Sequence, residues 1–197
     1  MVLGAVPNPV ATFAVESRTI AGGAPPSFFY SPIVMDSTTT QSEELFNAAR
    51  RGDVAGLQVA LAAGVPVDTA NDKGFSALVL AGYDNHLEAT RFLLDQSANP
   101  NHRDASGNTA LMGIGFKGYA DIARLLIERG ANPNLRNGGG STALMFAAMF
   151  GRHEMLRLLL DAGADKNLQD DHGLTALQLA SQKGDAAACA LLSDAPR

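Results

Sequence analysis

The chain has 197 residues, 46% of them hydrophobic and 18% charged, and it carries a formal net charge of −5. Such a composition describes an ordinary soluble globular chain and excludes collagen-like, disulfide-rich and strongly disordered classes. Its 15 basic residues stand scattered among 20 acidic ones, so the concentrated positive patch that phosphate neutralisation needs is missing and nucleic acid is not an expected partner.

Residues 1–40 hold three charges (Glu16, Arg18 and Asp36), five prolines and three glycines, and the other 32 charged side chains lie in residues 41–197. The break predicts an extended, Pro/Gly-rich apolar arm over residues 1–38. Phe13 and the cluster Phe28-Phe29-Tyr30 make it more aromatic than a solvated tail. At up to roughly 3.3 Å per residue the arm reaches about 130 Å. It is therefore expected to dock within the same molecule, extending the first helical unit or filling a groove. Val2 to Val15 contains two prolines and no Lys or Arg, unlike the basic start of a secretory leader. No stretch approaches the roughly 18 apolar residues of a membrane span, so insertion is not expected. As written, the chain reads as cytoplasmic, and as periplasmic if a leader has been removed.

Helical phrasing begins at Thr40-Gln41-Ser42-Glu43, whose capping-box spacing predicts a helix start. Gly52, Gly64 and Asp68 follow, and 33 residues later their places are taken by Asn85, Ser97 and Asn101. Residues 39–71 thus read as a divergent N-terminal cap of a repeat array.

Past that unit the period is unbroken. Gly74, Gly107, Gly140 and Gly173 are spaced by 33 residues, and each opens the same phrase: Gly74-Phe75-Ser76-Ala77-Leu78, Gly107-Asn108-Thr109-Ala110-Leu111, Gly140-Ser141-Thr142-Ala143-Leu144 and Gly173-Leu174-Thr175-Ala176-Leu177. Phe92-Leu93-Leu94, Leu125-Leu126-Ile127 and Leu158-Leu159-Leu160 mark a second element. Ser or Thr before Ala-Leu offers a side-chain oxygen to the first free N–H groups of a helix. That helix is predicted to run about nine residues, to Asn85, Gly118, Gly151 or Gly184. A second helix follows, and Gly64, Gly130 and Gly163 stand where its end needs a left-handed residue. One such pair cannot bury its own apolar face, so the units must stack. The predicted units are 39–71, 72–104, 105–137, 138–170 and 171–197, the last a C-terminal cap in which alanines replace bulkier residues.

This pattern resembles the ankyrin repeat, with its period of 33 and its Asp-x-x-Gly-x-Thr-Pro-Leu-His signature. The family's Asp position holds Asn71, Asp104, Asn137 and Asp170, and its Thr position Ser76, Thr109, Thr142 and Thr175. Alanine stands in place of the signature proline, while Val79, Met112, Met145 and Gln178 replace the histidine. The resemblance covers residues 39–197. It implies an all-α repeat fold, an ankyrin solenoid of about five helix-turn-helix units with β-turn tips, preceded by the extended arm. At roughly 10 Å per layer the stack would be about 50 Å long. The missing histidine implies weaker ties between neighbouring units. Together with the alanine-rich composition, the resemblance suggests a bacterial origin.

Little in the chain points to chemistry. Gly113-Ile114-Gly115-Phe116-Lys117-Gly118 matches a dinucleotide-binding spacing of glycines but falls inside a repeat helix, without a preceding strand or crossover. Gly113 stands where the other first helices carry Leu80, Phe146 and Leu179, which predicts either a local groove or a mobile first helix. His86, His102, His153 and His172 show no two-ligand spacing, so no metal is expected. Cys189, in an alanine-rich helical stretch, reads as a small buried hydrophobe. No nucleophile, base and orienting group can be assembled, and neither an enzyme nor a cofactor is expected.

The resemblance implies instead a binding protein whose partner contacts the concave face, at the turn tips and the exposed ends of the first helices. Here those positions include Lys73, Phe75, Asn108, Ser141, His172 and Leu174 at the tips, and Tyr83, Asp84, Phe116, Lys117, Met149 and Phe150 at the helix ends. Arg50 and Arg51 take the corresponding place in the cap. Aromatic residues and Met are enriched at interface centres, which makes Tyr83, Phe116, Met149 and Phe150 the favoured contact stripe. The expected function is non-catalytic binding of one protein partner. The alternatives are a bacterial immunity or inhibitor protein for a toxin or effector, and a protective accessory factor of an oxidative-stress enzyme such as a catalase.

Overall fold

The computed structural model describes residues 37–193, so the arm expected over 1–38 lies outside the described residues except for its last two. Those two, Ser37 and Thr38, begin a helix. Ten helices make up the described residues: α1 (Ser37–Arg51), α2 (Val54–Ala62), α3 (Ala77–Tyr83), α4 (Leu87–Asp95), α5 (Ala110–Lys117), α6 (Ala120–Glu128), α7 (Ala143–Met149), α8 (His153–Asp161), α9 (Ala176–Gln182) and α10 (Ala186–Ser193). Thr40, expected at a helix start, lies inside α1 instead. The polar run Ser37 to Thr40 forms the first turn of that helix, where backbone N–H groups need no partner within the helix.

The helices form five antiparallel pairs stacked side by side, giving one layer of first helices (α1, α3, α5, α7, α9) and one of second helices (α2, α4, α6, α8, α10). Contacts are closer in the first layer, where small residues let the backbones approach. Ala77, Ala81, Ala110, Ala147, Ala148, Ala176 and Ala180 are all buried there. Gly115 carries this furthest, since a Cβ built on it would lie 2.8 Å from the Ala143 carbonyl oxygen of the next first helix. Between the layers runs one continuous core with the same residue in successive units: Leu78, Leu111 and Leu144 from the first helices, and Leu93, Leu126 and Leu159 from the second. Cys189 is half-buried against this core, less enclosed than expected because it lies on the last helix, α10, which nothing further covers among the described residues.

Local chemistry sets each boundary. Ser76 and Thr142 accept hydrogen bonds from the backbone N–H groups of Val79 and Met145 at 3.4 Å, and Thr175 from Gln178 at 3.3 Å. In return the Gln178 side chain accepts from the Thr175 N–H at 2.8 Å, and in two other units a methionine sulfur, from Met112 or Met145, takes that place at 3.5 and 3.4 Å. Three of the four residues standing in place of the signature histidine, Met112, Met145 and Gln178, therefore close their own helix caps. The first helices α3, α5, α7 and α9 end after seven or eight residues, because the predicted nine included the residues that reverse the chain. Asn85, Gly118, Gly151 and Gly184 do so with φ between 62° and 87°.

At each tip an Asn or Asp organises the turn with a single oxygen. Asn71, Asp104, Asn137 and Asp170 each accept, on Oδ1, hydrogen bonds from the backbone N–H groups two and four residues on, at 2.8–3.0 Å. This is the Asx-turn chemistry that selects those residue types. Successive tips are then joined by backbone: Ala105 N–H donates to Lys73 O (3.1 Å), Gly138 N–H to Ser106 O (2.9 Å) and Asp171 N–H to Gly139 O (3.1 Å). Gly74 lacks a Cβ for the same reason, since one would stand 2.5 Å from the Ala105 nitrogen.

Side chains add further ties between units. Asp68, Asn101 and Asn134 accept on Oδ1 from the backbone N–H groups of Asn99, Asn132 and Asp165 at 2.7–2.8 Å. Arg103 and Arg136 each donate to a carbonyl exactly one period ahead, on Arg136 and Gln169, at 3.0 and 2.9 Å. His86 bonds the Arg50 carbonyl (2.8 Å) and His102 the Gly74 carbonyl (3.0 Å). Neighbouring units are thus tied by side chains other than one at the signature histidine position.

Candidate protein-binding surface

The candidate surface is built from the C-terminal ends of the first helices. A fixed 33-residue register brings Tyr83 at the end of α3 and Phe116 near the end of α5 to the same edge; Met149 holds that register in the next unit, and Phe150, one residue on and just past α7, is the ring that meets Phe116. Tyr83 and Phe116 lie parallel, with centroids 6.5 Å apart and an interplanar angle of 5°. Phe116 and Phe150 meet edge to face at 4.5 Å and 86°. Both separations fall within the range of favourable aromatic pairs. Lys117 places its Nζ 4.3 Å from the Tyr83 ring centroid, a cation–π contact. Tyr83 and Phe150 are 40% and 43% exposed, while Phe116 between them is half-buried.

Beside this row opens a cleft of about 660 Å³ between the tips and the first helices of the second and third units. That is ample for several side chains or a small ligand. Phe75, Val79 and Leu80 form one wall, and Met112, Phe116 and Phe146 the other. Gly113 supplies the gap between the walls. Of the two alternatives posed by its glycine, the groove is what the structure forms, and α5 is continuous through it.

The rim is polar. Arg50 and Asp84 stand at the helix-end side, and Asp72, Lys73, Asp104 and Asn108 at the tip side. Asp104 is saturated, since Oδ1 accepts from two backbone N–H groups and Oδ2 accepts from Asn108 Nδ2 at 3.0 Å. Asn108 is engaged at both ends too, its Oδ1 accepting from Asn137 Nδ2 at 2.8 Å. By contrast, no ion pair engages Arg50, Lys73, Asp72 or Asp84 among the described residues.

Of the twelve residues singled out from sequence, six line the cleft: Lys73, Phe75, Tyr83, Asp84, Asn108 and Phe116. Lys117 and Phe150 join them through ring contacts. The remaining four lie elsewhere. Met149 and Leu174 pack against the core, Ser141 is held in its own tip with its N–H on Asn137, and His172 is exposed at the last tip. Sequence reasoning passed over Val79, Met112 and Phe146 as lining residues. Val79 and Met112 stand at the histidine position of the repeat signature, and that register was the signal available.

Among the described residues no three or more His, Cys, Asp or Glu side chains are grouped to hold a metal, and no helix is long and apolar enough to cross a membrane. Comparison with known proteins gives a family match over most of the chain. The family described as ankyrin repeats (3 copies) matches residues 45–137 and 116–196. Over 80 residues, 40% of its length, the chain is also 35% identical to part of the inactive serine/threonine-protein kinase TEX14 of Mus musculus, and it spans 6% of that protein.

Proposed function

The chain belongs to the ankyrin-repeat family, whose repeats are generally non-catalytic protein–protein interaction modules, and from that membership we propose that it binds one protein partner on the concave, first-helix side. The observation that carries this reading is the aromatic row Tyr83–Phe116–Phe150, exposed at both ends and continuous with an apolar cleft. Both end rings keep about two-fifths of their surface in water, and aromatic residues at the centre of an interface supply much of its energy. The contact set we assign is Lys73, Phe75, Tyr83, Asp84, Phe116, Lys117 and Phe150, with Asn108 held in the rim beside it, and Ser141, Met149, His172 and Leu174 fall outside it.

The test is capture from native lysate with the full chain and with a Tyr83→Ala, Phe116→Ala, Phe150→Ala variant, each partner identified by mass spectrometry and its affinity then measured. Loss of at least tenfold in the variant, with its fold intact, is expected from removing buried anchor rings. A partner held equally by both proteins would move the site to another surface.

A further inference from the structure

We propose that Asn137-Gly138 is a latent site of spontaneous deamidation, held unreactive by the joint between the third and fourth tips and modified when that joint opens.

An asparagine followed by glycine is the pairing in which this chemistry runs most readily, because the backbone nitrogen of the following residue is the nucleophile and glycine has no Cβ to hinder its approach. The Gly138 nitrogen, giving its proton to solvent base, attacks Asn137 Cγ. The N–Cγ bond forms, the Cγ–Nδ2 bond breaks, and ammonia leaves behind a cyclic succinimide. Water then opens the ring at either carbonyl, leaving aspartate, or isoaspartate in which the main chain runs on through the side chain. The sequence holds one Asn-Gly pair. Asn8, Asn99 and Asn132 precede proline, which has no N–H to lose, and the other tips read Asn71-Asp72, Asp104-Ala105 and Asp170-Asp171.

The joint itself does not require glycine. Gly138 is not among the residues with positive φ, and Ala105 and Asp171 make the same backbone bond from the same place in neighbouring tips. A Cβ on Gly138 would stand 3.0 Å from the Ser106 carbonyl oxygen, a place where those two tips carry a side chain.

Every group the reaction needs is engaged elsewhere in the folded tip. Gly138 N–H donates to Ser106 O at 2.9 Å. Asn137 Oδ1 accepts from the Gly139 and Ser141 N–H groups at 3.0 and 2.9 Å, and its Nδ2 donates to Asn108 Oδ1 at 2.8 Å. For Cγ to turn onto the Gly138 nitrogen, the amide must leave these partners and the nitrogen must leave Ser106, so the reactive geometry belongs to an opened tip. Gly138 and Gly139 are exposed and Asn137 is half-buried, and a segment of this kind opens locally, ahead of the core. The rate is then that of the unfolded chain multiplied by the open fraction.

The joint that recloses differs from the one that opened. Aspartate lacks Nδ2 and sets an oxygen against Asn108 Oδ1, and Asn108 is kept from turning over because its Nδ2 donates to Asp104 Oδ2 at 3.0 Å. Isoaspartate adds a methylene to the main chain and breaks the spacing of two and four residues on which the turn depends. Each event therefore records an opening of this joint and leaves it weaker.

The experiment incubates the full chain in mildly alkaline buffer, folded and in denaturing urea, and follows aspartate and isoaspartate at residue 137 by proteolysis and mass spectrometry. In urea, Asn137 is expected to react ahead of every other asparagine, and Gly138→Ala to slow it about tenfold. In the folded chain the rate should fall by about tenfold or more. Asn108→Ala, which releases Nδ2, should raise the folded rate about fivefold and leave the rate in urea unchanged. Asp185→Asn, which loosens the far end of the stack, should change neither. Should Asn108→Ala fail to fold, the wild-type rate below the unfolding transition takes its place, and it should rise with urea less steeply than the globally unfolded fraction. An unreactive Asn137 in urea, or another asparagine reacting sooner, would overturn the site. Equal rates folded and unfolded, no response to folded Asn108→Ala, an equal response to Asp185→Asn, or a rate that tracks the globally unfolded fraction would overturn control by the joint.

Discussion

His153, at the start of α8, and Asp185, just before α10, are joined across the last two units, the His153 Nε2 lying 2.9 and 2.7 Å from the two carboxylate oxygens. Asp185 also accepts the Ala188 N–H at 3.0 Å, so one side chain caps the final helix and ties it to its neighbour. The Ala188 N–H first, and His153 second, hold the Asp185 carboxyl below its ordinary value of 3.8. A group whose folded pKa is depressed contributes stability that is present above its unfolded value and is lost as pH falls through the folded one. Wild type and Asp185→Asn melted between about pH 6 and about pH 2 should therefore differ by a constant amount down to about pH 5, and should converge below pH 3.8. A gap that stays constant down to the lowest pH would show that Asp185 acts through shape alone.

Gly113 and Gly115, two residues apart on α5, should respond oppositely to the same change. Gly115→Ala drives a Cβ into the Ala143 carbonyl at 2.8 Å, where only backbone can yield, and should cost about 2 kcal/mol despite the gain in helix propensity. Gly113→Ala asks only that the exposed Tyr83 ring shift by a few tenths of an ångström, and should stabilise by about 0.5 kcal/mol. Urea denaturation of the two variants reads both signs.

Ser97 adopts φ 66° where Gly64, Gly130 and Gly163 close the equivalent turn. Ser97→Gly should raise stability by about 0.5–1 kcal/mol, because serine is strained in the left-handed region. The urea midpoint should rise with no change in slope. An unchanged midpoint would mean that added freedom in the unfolded chain cancels the gain.

Asn137 serves two purposes with one amide, its Oδ1 organising its own tip and its Nδ2 holding Asn108 in the tip before. Asn137→Asp should keep the first and lose the second, costing about 1 kcal/mol, whereas Asn137→Ala should lose both and cost about 2–3 kcal/mol. Equal losses from the two changes would assign the whole effect to the contact with Asn108.

The 33-residue period, the helix pairs and the tip residues were legible because each is written locally: a Ser or Thr at a cap, an Asn or Asp that folds its own turn, a residue able to go left-handed at a helix end. Phe116 and Tyr83 were legible as a pair because the register predicts that they align. The cleft was legible only in part. Gly113 announced a gap, but its walls come from Met112 beside it, Val79 in the unit before and Phe146 in the unit after, and whether these close or line the space depends on side-chain packing between units. For the same reason Asn108, an exposed tip position by register, is consumed by Asp104 and Asn137, and Met149 and Leu174 lean on the core. Thr40 misled because a capping-box spacing specifies a helix start only when the preceding residues leave the helix, and Ser37 to Thr39 continue it.

The bonds between tips all run the same way, each later tip donating to the one before, from Ala105 to Lys73, Gly138 to Ser106 and Asp171 to Gly139. Every internal unit thus offers a plug on one side and an identical outlet on the other. Excision of residues 105–137 as one block would bring Gly138 to the place of Ala105, facing the Lys73 carbonyl, and duplication of the block would add one more link of the same kind. The number of units can then change without redesigning the backbone links between tips, and because Gly113 lies inside the block, its duplication would give the stack a second gap where it now has one.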